Sequence, residues 1–202
     1  MKQLFERFRI PMSQLFIVAI LFLICTTHSY WEDRSEIFTF ILFFVGLILV
    51  SIAALGRLWC AVYIAGYKDN LLVQDGPYSV CRNPLYLFSF IGIVGVGLAT
   101  ETLLFPFVLV IFFAFYYPSV IAAEAGRLSE LFGADFAEYE KKVPAFFPKM
   151  SLLHEPTKYE VNPLVFKKSI FSALWFIWIT GFIEVAEGLK ELGFLPTYWT
   201  IY

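Results

Sequence analysis

The chain has 202 residues, of which 59% are hydrophobic and 24 are phenylalanine, with 15 lysines and arginines against 17 acidic residues. A mean hydropathy of +0.73 exceeds what a soluble domain of this length carries, so the composition excludes an ordinary soluble enzyme and points to an all-α integral membrane protein. The formal net charge of −2 marks no strongly charged partner, and nucleic acid is not expected as one.

A membrane-spanning helix needs roughly 20 mostly apolar residues, and about five stretches approach that length. In chain order they are Gln14 to Thr27, Ile37 to Gly56, Leu85 to Ala99, Leu103 to Ala123 and Ser169 to Glu187. The first and third are short and need flanking residues such as Phe5 to Met12 and Thr100 to complete them. The start of the chain has the basic and apolar pattern of a signal peptide, but Cys25-Thr26-Thr27-His28 offers no small-residue cleavage site, so it reads as a retained anchor. Lysines and arginines are retained on the cytoplasmic side of span ends. With five spans and a cytoplasmic N-terminus, 13 of the 15 positive residues fall on that side, leaving Arg34 and Lys190 for the other. Tyr30 with Trp31, and Tyr198 with Trp199, then sit where an outer interfacial belt belongs.

Cys25, Cys60 and Cys81 are unevenly spaced and none falls on the proposed outer side, so neither a disulfide framework nor a zinc site is expected. His28 and His154 are predicted on opposite sides, which argues against a histidine metal centre. The chain reads as one membrane domain over residues 1–202, with the polar information in two cytoplasmic segments.

The first segment, Arg57 to Tyr86, opens by continuing the second helix, with Trp59, Tyr63 and Tyr67 recurring every four residues. That helix is expected to end at Gly66 or soon after. Lys68-Asp69-Asn70 and Gly76-Pro77-Tyr78 are turn clusters around the short apolar run Leu71-Leu72-Val73. Pro84 suits the first turn of the third helix, where a missing N–H costs nothing. The second segment, Glu124 to Lys168, carries Leu128, Leu131, Phe132, Phe136 and Tyr139 at helical spacing with charges opposite. It is predicted as a cytoplasmic amphipathic element between the fourth and fifth spans, lying at headgroup level and broken by Gly133 into two short helices. Pro144 and Pro148 close it, and Leu152 to Pro163 reads as a polar connector.

The run from Asn70 to Tyr78, then Arg82-Asn83-Pro84-Leu85-Tyr86, then Glu124 with Leu128, Phe132-Gly133, Tyr139 and Val143-Pro144, resembles the isoprenylcysteine carboxyl methyltransferase and phospholipid methyltransferase family. The resemblance covers roughly residues 57–148. It implies an integral membrane enzyme that uses S-adenosyl-L-methionine without a soluble Rossmann-like domain, and the chain has no glycine-rich dinucleotide loop after a strand. It also implies that Asn70, Leu71, Leu72, Val73, Tyr78, Asn83, Pro84, Leu85, Tyr86 and Glu124 line the cofactor pocket, with Arg82 and Glu124 as the catalytic pair. There are three departures. Asn83 stands where the family commonly has histidine, Ala125 where it has a second glutamate, and Val120 where the eukaryotic enzymes have an arginine for prenylated substrate. The acceptor is then expected to be a lipid, isoprenoid or prenylated molecule, a prenylated protein being the less favoured, and the expected partners are membrane lipids and a hydrophobic small-molecule or lipid-modified acceptor.

The donor carries a sulfonium, an ammonium and a carboxylate, and Arg82 and Glu124 supply charges of both signs. Direct methyl transfer needs alignment and exclusion of water rather than a metal or a covalent enzyme intermediate. A carboxylate acceptor would lose its charge in the reaction; an amine acceptor would need a base, either Glu124 or water. Each residue also has a plainer reading: Arg82 as a snorkelling anchor, Glu124 as a first-turn carboxylate, Tyr78 and Tyr86 as belt aromatics, Cys81 as buried filler, Tyr139 as a member of the apolar stripe, Glu184 and Glu187 as outer-interface carboxylates. Two other classes fit the same residues. One is an NADPH-dependent membrane reductase of the sterol-reductase type; the other is a non-catalytic lipid-binding membrane protein.

Overall fold

A computed structural model describes Leu15 and residues 18–202, and these are mostly helical. After helical residues 18–26 come strand β1 (Thr27–Ser29), helices α1 (Glu36–Ile64), α2 (Pro77–Val80), α3 (Pro84–Leu98) and α4 (Leu104–Lys142), a 3-10 turn at Met150–Leu152, α5 (Pro163–Glu191) and strand β2 (Trp199–Ile201). Three helices, α1, α4 and α5, are long and apolar enough to cross a membrane, and α3 is apolar but only 15 residues long. At 1.5 Å per residue α3 reaches about 22 Å, short of a hydrocarbon core of about 30 Å. The predicted first span lies partly outside the described residues, and Phe5 to Met12 lie wholly outside them. Phe40, Phe44, Ile52 and Leu55 of α1, Phe107 and Phe115 of α4, and Phe171, Trp175 and Phe182 of α5 are exposed. This apolar girdle is the lipid-facing surface of an integral membrane protein.

The helix ends follow from local chemistry. Ser35 caps α1 by accepting from the Phe38 N–H at 3.3 Å, and Asn162 caps α5 by accepting from Leu164 and Val165 at 3.1 and 3.2 Å; both satisfy donors that a first turn leaves open. The α1 helix stops at Ile64, just before Gly66 at φ 97°, close to the expected end. The amphipathic segment differs from its prediction. Its first part is the direct continuation of α4, which runs past Glu124 without a break as far as a kink at Gly133 (φ 51°, ψ −117°). Gly133 takes a non-helical conformation and divides the run into two helices at the expected place, the first of them long because it includes the predicted fourth span.

The helices are held by a close crossing and one internal cation. The α1 and α3 backbones approach so nearly that a Cβ on Gly46 would lie 2.6 Å from the Gly95 oxygen. Arg57 of α1 donates to Ser89 of α3 and Ser172 of α5, each at 2.6 Å, with its guanidinium 5.6 Å from the centre of the Phe176 ring. The charge persists between the helices because α3 and α5 both supply its partners.

At the far end, β1 and β2 pair in parallel, Thr27 with Trp199 and Ser29 with Ile201, a short sheet that local pattern did not predict. Lys190, whose side chain is 4% exposed, donates to the Thr27 carbonyl and to Glu187, both at 2.8 Å. The Ser29 hydroxyl donates to the Glu101 carbonyl at 2.7 Å. The Glu101 carboxyl is pushed up from 4.5 to about 7, chiefly by burial and then by Glu32, Glu187, Glu184 and Glu191. A carboxyl raised in the folded state keeps its proton after the unfolded chain has released one, so stability falls as pH rises between about 4.5 and about 7. Glu101→Gln is expected to raise the melting temperature above pH 7 and to change it little in acid, as measured by melting curves of both proteins across pH in one detergent.

Candidate active site

The site is built where two loop segments run beside each other. The Arg82 N–H donates to Pro144 O, the Asn83 side-chain amide to Ala145 O and the Lys149 N–H to Val80 O, each at 2.9 Å, while the Cys81 thiol rests 3.1 Å from Phe146 O. Residues 80–83 and 144–149 thus satisfy one another's backbone groups, as buried polar groups must. Burial raises the Cys81 thiol above its ordinary range, which fits a packing role. Gly76, at φ 57°, has no room for a Cβ, which would lie 2.3 Å from the Tyr63 ring. Leu152 to Pro163 is more than a polar connector: Glu155 accepts from Trp59 and Tyr63 at 3.1 and 3.3 Å, and the Tyr159 hydroxyl donates to Tyr63 O at 2.8 Å. Burial, with Tyr67 and Asp75 nearby, pushes the Tyr159 phenol up to about 12.

Between these segments and α4 lies a cavity of about 200 Å³. Its apolar wall is Ile64, Leu71, Leu72, Val73, Pro84, Leu85, Tyr86 and Leu128, and its polar wall Lys68, Asp69, Tyr78, Arg82, Asn83, Glu124, Arg127 and Tyr139. Arg127 bridges Asp69 and Glu124, the latter at 2.6 Å, so one guanidinium ties the loop after α1 to α4. Tyr139 donates its hydroxyl to Tyr78 O at 2.7 Å. The Tyr78 hydroxyl and Arg82 Nε are buried without a hydrogen-bond partner, and burial holds the Tyr78 phenol well above its usual range, hence neutral.

A second cavity, about 640 Å³, is an apolar groove among Phe90, Val110, Phe113, Tyr117, Ile121, Ala125 and Phe146, with Arg82 and Glu140 as its charged residues. Arg82 is the one residue common to both walls. Its side chain, 15% exposed, pairs with Glu140, which is 49% exposed. A chamber holding charges of both signs and an apolar groove therefore share a single guanidinium.

Residues 35–135 match the phospholipid methyltransferase family. The chain belongs to that family. It is 38% identical over 192 residues to the nickel-cobalt-cadmium resistance protein NccN of Alcaligenes xylosoxydans xylosoxydans, covering 95% of this chain and 89% of that one. It is 37% identical over 195 residues to the cobalt-zinc-cadmium resistance protein CzcN of Cupriavidus metallidurans, covering 96% and 89%. To the protein-S-isoprenylcysteine O-methyltransferase of Schizosaccharomyces pombe it is 40% identical over 85 residues, covering 40% of this chain and 34% of that enzyme. No solved structure matches the chain.

Nine of the ten family-implied pocket residues line the chamber, and Arg82 joins them. Asn70 does not. It faces a neighbouring hollow with Gln74, Asp135, Glu138 and Lys142, which Leu71, Leu72 and Tyr139 also border, because the turn at Asp69 (φ 67°) turns the chain after it. Asn83 spends its amide on Ala145 O, so it braces the loop as well as lining the chamber. Ala125, which stands where the family has a second glutamate, borders the apolar groove and not the chamber. Sequence reading missed Lys68, Asp69 and Arg127 as chamber residues, although Arg127 lies three residues beyond Glu124, a spacing that pairs side chains on a helix. It missed Glu140 entirely. Among the described residues no three His, Cys, Asp or Glu side chains group so as to hold a metal ion.

Proposed function

We propose that the protein is an S-adenosyl-L-methionine-dependent methyltransferase that modifies a hydrophobic acceptor, a lipid, isoprenoid or other lipid-like molecule, at the membrane. The observation that carries this reading is the meeting of a chamber with charges of both signs and an apolar groove at Arg82. The chamber's groups fit the donor. Its apolar wall suits an adenine ring, Glu124 and Asp69 suit the ammonium and ribose hydroxyls, and the open Tyr78 hydroxyl and Arg82 Nε suit a carboxylate and acceptors of hydrogen bonds. When bound, S-adenosylmethionine supplies a methyl group activated by the sulfonium.

The chain's own part is binding, alignment and exclusion of water. Leu71, Leu72, Val73 and Tyr86 hold the donor's apolar face, Glu124 fixes its polar groups, and Arg82 orients donor or acceptor where the cavities join. The groove receives the acceptor's hydrocarbon, so a lipid reaches the site laterally without leaving the bilayer. Five spans, with the N-terminus and the site on the cytoplasmic side, are the topology we propose, supported by 13 of the 15 positive residues falling on that side. The names of the two bacterial relatives add a setting rather than a chemistry: the transfer would serve a membrane exposed to nickel, cobalt, zinc or cadmium.

Incubating the purified protein and its native lipid extract with methyl-labelled S-adenosylmethionine is expected to place label in a lipid-soluble fraction. Label in no fraction, under conditions where the protein remains folded, would count against the reading.

A further inference from the structure

We infer that Glu140 sets the acceptor's charge: it selects an amine over a carboxylate and takes the amine's proton. This inference rests on the methyltransferase reading. Glu124, the carboxylate that sequence suggests as a base, faces the chamber and is held by Arg127 at 2.6 Å. Glu140 borders the groove. The last turns of α4 divide the two spaces, with Tyr139 turned into the chamber and Glu140, about 100° further round the helix, turned into the groove.

Glu140 already pairs with Arg82. A carboxylate acceptor arriving at that guanidinium would bring a second anion against Glu140 and meet like-charge repulsion. An ammonium meets the reverse, a carboxylate at the head of an apolar groove, with Glu140 half exposed and able to turn from Arg82 toward it. Transfer requires the neutral amine, because an ammonium nitrogen has no lone pair. Glu140 accepts one proton, giving a neutral amine and a neutral carboxyl; total charge is unchanged, and the carboxyl later releases its proton to water. Arg82, freed from its partner, keeps its charge beside the chamber.

The test uses the full-length protein in zwitterionic nanodiscs with two acceptors of equal chain length, dodecylamine and dodecanoate. The wild type is expected to bind dodecylamine more tightly without any methyl donor, and to label it in preference. Glu140→Gln is expected to lower kcat/KM for the amine about 100-fold, to weaken amine binding and tighten dodecanoate binding, and to leave S-adenosylhomocysteine binding and the melting temperature near wild type. Glu140→Asp should restore part of the amine activity. A wild type that prefers dodecanoate, or a Glu140→Gln protein with an unchanged preference, overturns the inference and leaves the methyltransferase reading standing. A wild type that labels neither compound and does not bind S-adenosylhomocysteine overturns both.

Discussion

Arg82→Ala is expected to lower the rate of methyl transfer by about 100- to 1,000-fold while the protein remains folded. The expectation follows from the position of the side chain, which borders both cavities, and from how its backbone is held. The Arg82 N–H pairs with Pro144 O at 2.9 Å whatever the side chain, so the loop keeps its path. Removal leaves Glu140, but that carboxylate is 49% exposed and can be solvated, so no charge is stranded in the interior. The stability cost should stay at about 1 kcal/mol. Arg82→Lys should recover only part of the activity, because an ammonium is a point charge and cannot present a planar fork to two neighbours at once. Initial rates with methyl-labelled donor, set beside melting temperatures, check both halves. Retention of more than about a tenth of wild-type rate would remove Arg82 from the mechanism.

Gly95→Val should have the largest effect on folding. A Cβ at Gly95 would lie 2.8 Å from both Gly46 O and Val50 N, and one at Gly97 would lie 2.6 Å from the Pro106 Cα. These neighbours are backbone atoms and cannot turn aside, so a larger residue forces the helices apart. Close backbone approach is also what replaces the hydrophobic drive between helices in lipid. The cost is expected at about 3 kcal/mol or more, read as loss of folded yield or a lowered midpoint in detergent unfolding. Activity should fall with it, since α3 begins at Pro84 and carries Pro84, Leu85 and Tyr86 into the chamber. Gly181, with nothing within 4 Å of a Cβ, is the control: Gly181→Ala should change stability by no more than about 1 kcal/mol, toward greater stability.

The parts of the molecule legible in sequence were those encoded by contiguous residues. Apolar runs gave α1, α4 and α5, Pro84 gave the start of α3, and the stretch from Leu71 to Tyr86 with Glu124 gave most of the chamber wall. Contacts made across long separations were not legible. The pairing of Thr27–Ser29 with Trp199–Ile201 joins two three-residue strands, too short to show an alternating pattern. Arg82 and Glu140 meet only because residues 144–149 fold back along residues 80–83, and nothing local to Glu140 marks it apart from Glu130 or Glu138. The change from apolar to charged composition near Glu124 suggested a separate interfacial helix, yet composition can change along a helix without ending it. Pro118 lies inside α4 and does not stop it either, because lipid-embedded helices tolerate proline where neighbours satisfy the freed groups.

The most direct measurement is an experimental structure of the full-length protein in lipid with S-adenosylhomocysteine bound. The adenosyl group is expected against Leu72, Val73 and Tyr86, its polar groups at Glu124, and its sulfur facing the groove beside Arg82. Density for the ligand elsewhere, or Arg82 and Glu124 bordering separate spaces with the ligand touching neither, would contradict a single chamber that holds the methyl donor between these two charges.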